Sequence, residues 1–264
     1  MQRRGQLDGG EDWVSIQVAG DLFQMRGGGN ENSCRWIRAA SLSQEAAPEF
    51  DGHGPRQLFA LANLADRYVA VTGGYIEQKS QHLYSSHRFD LQANRWEGLP
   101  NMKIHREGHS SCSIDGNLYV FCGINANKMP INSIEVLDDA CSALDLIQGW
   151  REIQVSEAIL TPRWVPACVP VNEDQIAIIG GISFDANDDP GVMGDVVLYD
   201  TTEGTVERKV INMPGLLQIC SYGNQAASVG DDTVVVLGMD EDRGNIRAVQ
   251  FKKGVKMLKN LGTL

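Results

Sequence analysis

The sequence predicts an all-β protein assembled from repeated sheets, and three observations carry that prediction. Short apolar runs end in glycine at Gly74, Gly123, Gly181 and Gly238, spaced 49, 58 and 57 residues apart. The runs are rich in Val and Ile at successive positions, as expected of strands buried on both faces. Turn residues separate paired runs: Asp115-Gly116, Asn172-Glu173-Asp174 and Gly230-Asp231 each lie between two strand-like segments. A unit of ~50 residues buries its core only against its neighbours, so the 264 residues form one repeat domain rather than two separate ones.

Taken in order, residues 1–11 are polar and glycine-rich and read as a disordered segment ahead of a repeat domain over 12–264. From Asp12 to Arg38 come three apolar patches, Trp13 to Val18, Leu22 to Met25 and Arg35 to Ile37, broken by Gly27-Gly28-Gly29-Asn30. This is a partial unit: Trp36 falls sixty residues before Trp96, but no glycine-ended strand precedes it. Ser41 to Pro55, rich in Ala, Glu, Gly and Pro, reads as a loop between units.

The first full unit runs from Arg67 to Trp96. Its strand Tyr68 to Val71 leads to Gly73-Gly74, a polar loop, a second strand ending at Phe89-Asp90, and Trp96 seven positions after Phe89. Adjacent glycines permit positive φ where sheets press close, and tryptophan supplies packing surface between sheets. In the next unit Tyr119-Val120-Phe121 leads to Cys122-Gly123, and Trp150 closes it after an enlarged loop. The third has Ile176 to Ile179, Gly180-Gly181 and Tyr199-Asp200, with Val206 at the tryptophan position. The last has Val234 to Val236, Leu237-Gly238, Phe251 and Met257.

This arrangement resembles the kelch repeat: an apolar strand, Gly-Gly, an aromatic-Asp pair, and a tryptophan about seven residues beyond. The passage Leu99-Pro100-Asn101-Met102, Arg106, His109-Ser110 is similar to the kelch connection between units. The resemblance implies a kelch-type β-propeller, related to the galactose oxidase fold, or an incomplete propeller arc, with four clear blades plus one partial N-terminal blade. It implies structural roles for Gly73, Gly74, Trp96, Gly123, Trp150, Gly180, Gly181, Tyr199 and Gly238. Five units are fewer than kelch rings usually have, and Trp13 near the start suggests a truncated gene product.

Composition narrows the function. A net charge of −11 argues against nucleic acid and anionic membranes, since phosphate binding rests on Lys and Arg. No signal or membrane-length apolar run is present, so the expected location is cytoplasmic. The six cysteines show no metal-ligand spacing and read as small buried hydrophobes; with Asp115-Gly116 as a two-residue turn, Cys112 faces Tyr119 rather than Cys122. His105 and His109 lack the glutamate of either zinc-protease motif, and the 185–196 stretch has Pro190 and Val196 where a calcium loop needs Gly and Glu. No cofactor is implied.

The expected function is therefore a non-enzymatic protein-interaction scaffold. The alternative is a sugar-active enzyme on a kelch-like propeller, of oxidase or epimerase type. An oxidase site is disfavoured because every histidine lies in the first 109 residues; an epimerase-type site would draw on Arg106, Arg163 and Glu135. Arg106 and Arg163 hold equivalent repeat positions, which favours a repeated structural contact. In antiparallel blades the loops after each glycine share one face with the connections to the next blade. Their charge is uneven: Asp185, Asp188, Asp189, Asp240 and Glu241, with Arg243, make the last two blades acidic, whereas Lys79, His82, Asn125 and Lys128 form a more neutral flank. The expected partner is a protein presenting a basic segment to that face.

Overall fold

The computed structural model of the chain describes residues 2–7, 11–18, 21–26, 35–41, 56–65, 67–142, 149–185, 189–209, 225–229, 233–239, 246–252 and 258–263. Side chains are described over 56–65, 67–142, 149–185 and 189–207, and at Ala226, Val234 and Val236. Most of the described residues lie in strands, and helix among them is one 3-10 turn at Glu77–Lys79, so the all-β class holds.

Five four-stranded antiparallel sheets follow one another. The first comprises β1 (Gln2–Leu7), β2 (Glu11–Val18), β3 (Asp21–Arg26) and β4 (Arg35–Ser41). The second comprises β5 (Ala60–Leu64), β6 (Tyr68–Ile76), β7 (Gln81–Asp90) and β8 (Arg95–Leu99). The third comprises β9 (Ser110–Ile114), β10 (Asn117–Phe121), β11 (Ile134–Leu137) and β12 (Arg151–Ile153). The fourth comprises β13 (Ala167–Pro170) and β14 (Gln175–Ile179), then, after a small hairpin of β15 (Ile182–Phe184) and β16 (Pro190–Val192), β17 (Val196–Asp200) and β18 (Val206–Lys209). The fifth comprises β19 (Gln225–Val229), β20 (Thr233–Met239), β21 (Ile246–Lys252) and β22 (Leu258–Thr263). The sheets are not closed onto one another by strand pairing; their first strands pack side by side, β5 on β9, β9 on β13 and β13 on β19, with β1 beside both β5 and β19.

Strands apolar on both faces do what their sequence requires. In β14, Ile176 and Ile178 join the core shared with the third sheet, while Ala177 and Ile179 join the core shared with the fifth. In β10, Tyr119 and Phe121 turn to the fourth sheet, and Leu118 and Val120 to the second. The period-two alternation thus feeds two interfaces from one strand.

The N-terminal unit, whose glycine signal is missing from the sequence, carries four strands. Val18 pairs with Asp21, so only two residues separate β2 from β3, and there is no long loop for a glycine pair to launch. Trp36 opposes Met25 in β4, as Trp96 opposes Phe89 and Val206 opposes Tyr199 in later sheets. Strand β1 lies where polar composition suggested disorder; it pairs with β2 through its backbone, which requires no apolar side chain.

Candidate interaction face

Chain direction sorts the connections onto two faces. The turn between the first and second strands of each sheet, and that between the third and fourth, lie on one face. The loops after the glycine sites and the passages to the next sheet lie on the other. Three arginines fix that second face. Arg56, Arg106 and Arg163 each precede a residue that bridges to the position just after the glycine site: Gln57 to Tyr75, Glu107 to Ile124, and Trp164 to Ile182.

Each guanidinium turns into its own sheet. Arg56 Nη1 donates to the Gly73 carbonyl at 3.2 Å and Nη2 to Ser85 Oγ at 2.7 Å. Arg106 Nη1 donates to the Cys122 and Ser133 carbonyls, Nη2 to Ser133 Oγ and Glu135 Oε1, and Nε to Glu135 Oε1. Arg163 Nη1 donates to the Gly180 carbonyl at 3.0 Å and to Asp195 Oδ1 at 2.6 Å, and Nη2 to Asp195 Oδ2. Glu135 Oε2 also accepts the Lys103 amide at 2.6 Å, and Oε1 accepts that of Ile104. Arg106 and Glu135 are fully buried, and all five guanidinium donors of Arg106 are used, so neither group faces a substrate. Arg56 completes the set; its signal was the recurrence of arginine at 50 and 57 residues, visible only once the three passages are aligned on their bridges.

The backbones of the same arginines clamp the preceding sheet. The Gly74 amide donates to the Arg106 carbonyl at 2.7 Å, and that of Gly123 to the Arg163 carbonyl at 2.9 Å. A Cβ on Gly73 (φ +53°) would stand 2.5 Å from the Arg106 carbonyl oxygen, and one on Gly74 (φ +103°) 2.7 Å from that of Gln57. Glycine is required for both conformation and space. Cys122 occupies the slot equivalent to Gly73 with φ +60°, buried and free, its thiol pushed up to about 12 by burial. Cys122, Cys141 and Cys168 are free thiols, and Cys112 faces Tyr119.

Trp150 closes the joint between the second and third sheets. It is buried with Leu99 and Met102 on one side and Leu118 and Leu137 on the other, and its Nε1 donates to the Pro100 carbonyl at 2.7 Å. Trp96 is buried with its ring 5.1 Å from Phe89, and Val206 packs partly buried against the core of the third and fourth sheets.

The sequence matches the KLHDC2/KLHL20/DRC7 Kelch-repeats domain over residues 16–250. The chain belongs to the kelch-repeat family. It is 30% identical to Kelch repeat protein C2 of Vaccinia virus (strain Western Reserve) and of Cowpox virus (strain GRI-90 / Grishak) over 131 residues, 50% of this chain and 23% of each viral protein. It is 26% identical to Kelch-like protein 15 of Danio rerio over 93 residues, 35% of this chain and 13% of that protein. The matches span about a quarter or less of those relatives' lengths. The repeating arginine, glycine and tryptophan contacts are thus the joints of kelch blades.

On the kelch loop face, Lys79 and Lys128 are exposed, and Asn125 Oδ1 accepts the amides of Asn127 and Met129, shaping its turn. His82 Nδ1 lies 3.5 Å from Glu107 Oε2, close enough to attract but without hydrogen-bond geometry, and its ring packs on Tyr75. Burial raises the Glu107 carboxyl against the pull of His82 and Lys128. Asp185 and Asp189 are exposed, with Asp185 Oδ1 accepting the Asp189 amide. Asp188, Asp240, Glu241 and Arg243 lie outside the described residues.

His105 and His109, four apart in sequence, go to different places. His105 packs against Tyr84 in a tilted ring contact, centroids 4.3 Å apart, and burial lowers its pKa. His109 is buried, with Nε2 2.9 Å from Thr72 Oγ1 of the preceding blade. Among the described residues no three His, Cys, Asp or Glu groups gather as a metal site would need, and no helix is long and apolar enough to cross a membrane.

Proposed function

We propose that this kelch-repeat protein is a non-enzymatic scaffold that binds a partner protein through the loops of the face described above. One observation carries the reading: the passages between blades are riveted by buried arginines, while the loop tips between them are exposed and unevenly charged. Rigid frames that present polar loops recognise partners at those loops. The acidic loops of the last two blades, with Asp185, Asp188, Asp189, Asp240 and Glu241 against Arg243, favour a basic segment on the partner, flanked by Lys79, His82, Asn125 and Lys128. We infer a cytoplasmic location, where free thiols such as Cys122 and Cys168 stay reduced.

Affinity capture from the native cell followed by mass spectrometry names the partner. Asp185, Asp188 and Asp189 changed together to Asn should then slow association and weaken its salt dependence. Unaltered kinetics, with the fold intact, removes this face from consideration.

A further inference from the structure

Exposed apolar side chains are distributed unequally between the two faces. Every large hydrophobic side chain that stands exposed among the described residues, Leu58, Tyr84, Met129, Ile159 and Phe184, belongs to the loop face. The opposite face shows Asn94, Asp115, Asp138, Asp139, Glu173 and Glu203 at its turns. Leu58 lies in the passage into the second blade and is exposed. It begins a backbone chain that passes from blade to blade, with the Gly108 amide donating to the Leu58 carbonyl at 2.8 Å and the Val165 amide to the Gly108 carbonyl at 2.6 Å. Tyr84 has a neighbour already: its ring meets that of His105 in a tilted contact, centroids 4.3 Å apart. Solvent-facing apolar residues gathered on one side of a soluble domain mark an interaction site, and an aromatic ring costs little entropy on binding.

The charges around these residues divide in two. The second and third blades bring exposed Lys79, Lys103 and Lys128 to the face. Their exposed acid there, Glu77, accepts a hydrogen bond from Gln57 Nε2 at 3.2 Å. The third-to-fourth passage and the fourth blade bring exposed Glu157, Asp185 and Asp189. Lys103 is anchored by its own amide, which donates to the buried Glu135 carboxylate, so its position is tied to the Arg106 network. The flank that is nearly neutral by loop composition is therefore basic once the passage between blades is added to it.

Resting on the reading that this face binds a protein, we propose that it takes an extended polypeptide segment of divided charge. Apolar side chains at the centre of the segment meet Leu58, Met129 and Phe184. Acidic residues at one end lie over Lys79, Lys103 and Lys128, and basic residues at the other end lie over Glu157, Asp185 and Asp189. The apolar centre supplies affinity, and the paired ends supply orientation and speed of encounter. A uniformly charged strand such as nucleic acid meets repulsion on one half of the face.

The test uses the full chain and three synthetic peptides of about twelve residues with the same Trp-Leu centre: one with an acidic and a basic end, one with two basic ends and one with two acidic ends. The divided peptide is expected to bind about tenfold tighter than either of the others at low salt. Changing Lys79, Lys103 and Lys128 together to Glu should weaken the divided peptide by at least about tenfold and strengthen the one with two basic ends. Met129→Ser with Phe184→Ser, both exposed and tolerable to the fold, should weaken all three. Equal binding of the divided and doubly basic peptides to the unaltered chain overturns this proposal while leaving the basic-partner reading standing. Absence of binding by all three, or indifference to both sets of changes, overturns it as well; loss of a captured native partner on the Asp185, Asp188, Asp189 change tests the broader reading separately.

Discussion

Gly74 and Arg106 join two blades through a single hydrogen bond: the glycine amide of the second blade donates to the carbonyl of the arginine that leads into the third, at 2.7 Å. The same arginine sends its side chain forward into the third blade. One residue therefore holds two sheets, and its neighbours set the tolerance of the joint.

Gly73→Ala should destabilise the fold by ~2–5 kcal/mol, combining left-handed backbone strain with a Cβ 2.5 Å from the Arg106 carbonyl. Gly98 on β8 provides the control, because a Cβ added there meets nothing within 4 Å: Gly98→Ala should stay within ~1 kcal/mol of wild type. Urea unfolding midpoints separate the two. Equal midpoints would show that the blade boundary relaxes freely.

Glu135→Leu leaves Arg106 charged and buried without its carboxylate, at a cost of ~3–5 kcal/mol. Adding Arg106→Met should recover part of this and no more, because the Lys103 and Ile104 amides have also lost their acceptor. Stability of the single and double variants by chemical denaturation gives the coupling. Full recovery in the double variant would mean that those two amides find water.

Trp150→Ala removes a ring shared by two blades and should cost ~3–5 kcal/mol. Trp150→Phe should recover most of the packing but leave the Pro100 carbonyl without its indole donor. Thermal melts of the two variants check the order: alanine lowest, phenylalanine between it and wild type.

His109 predicts the sign of a pH effect. Burial, with the Arg106 charge beside it, lowers its pKa from 6.5 to about 3. Below pH 6.5 the unfolded chain therefore binds a proton that the folded chain does not, and stability falls as pH drops toward 3, by up to ~1.4 kcal/mol per unit from this group. His109→Gln can keep a partner for Thr72 while removing the titration. Its stability should fall less steeply than wild type between pH 6 and 4 in parallel urea series, and identical slopes would show that His109 titrates normally.

The blade core was legible because strands buried on both faces, glycine-ended and followed by tryptophan leave a pattern that survives divergence. Ile176 to Ile179 and Tyr119 to Phe121 announce their interfaces directly. The first unit was less legible because the short β2 to β3 connection, Val18 opposite Asp21, dispenses with the glycine pair. Arg56 was hidden for a different reason: a lone arginine after a proline-containing loop gains meaning only from its contacts with Gly73 and Ser85. On the loop face, Lys79, Lys128 and Asp185 could be named from composition, but Lys103 and the exposure of Leu58 and Met129 depend on which parts of each passage the neighbouring blade covers.

The blade joints also impose a schedule on synthesis. Gly74 finds its acceptor in Arg106 and Gly123 in Arg163, so a blade leaving the ribosome has a vacant socket until the chain has grown past the next arginine. At ~5–20 residues per second that wait lasts roughly two to eight seconds. During it, the newest blade exposes the flank that its successor will cover, which makes the trailing edge of the nascent chain the place where a chaperone, or a neighbouring nascent copy, would engage first.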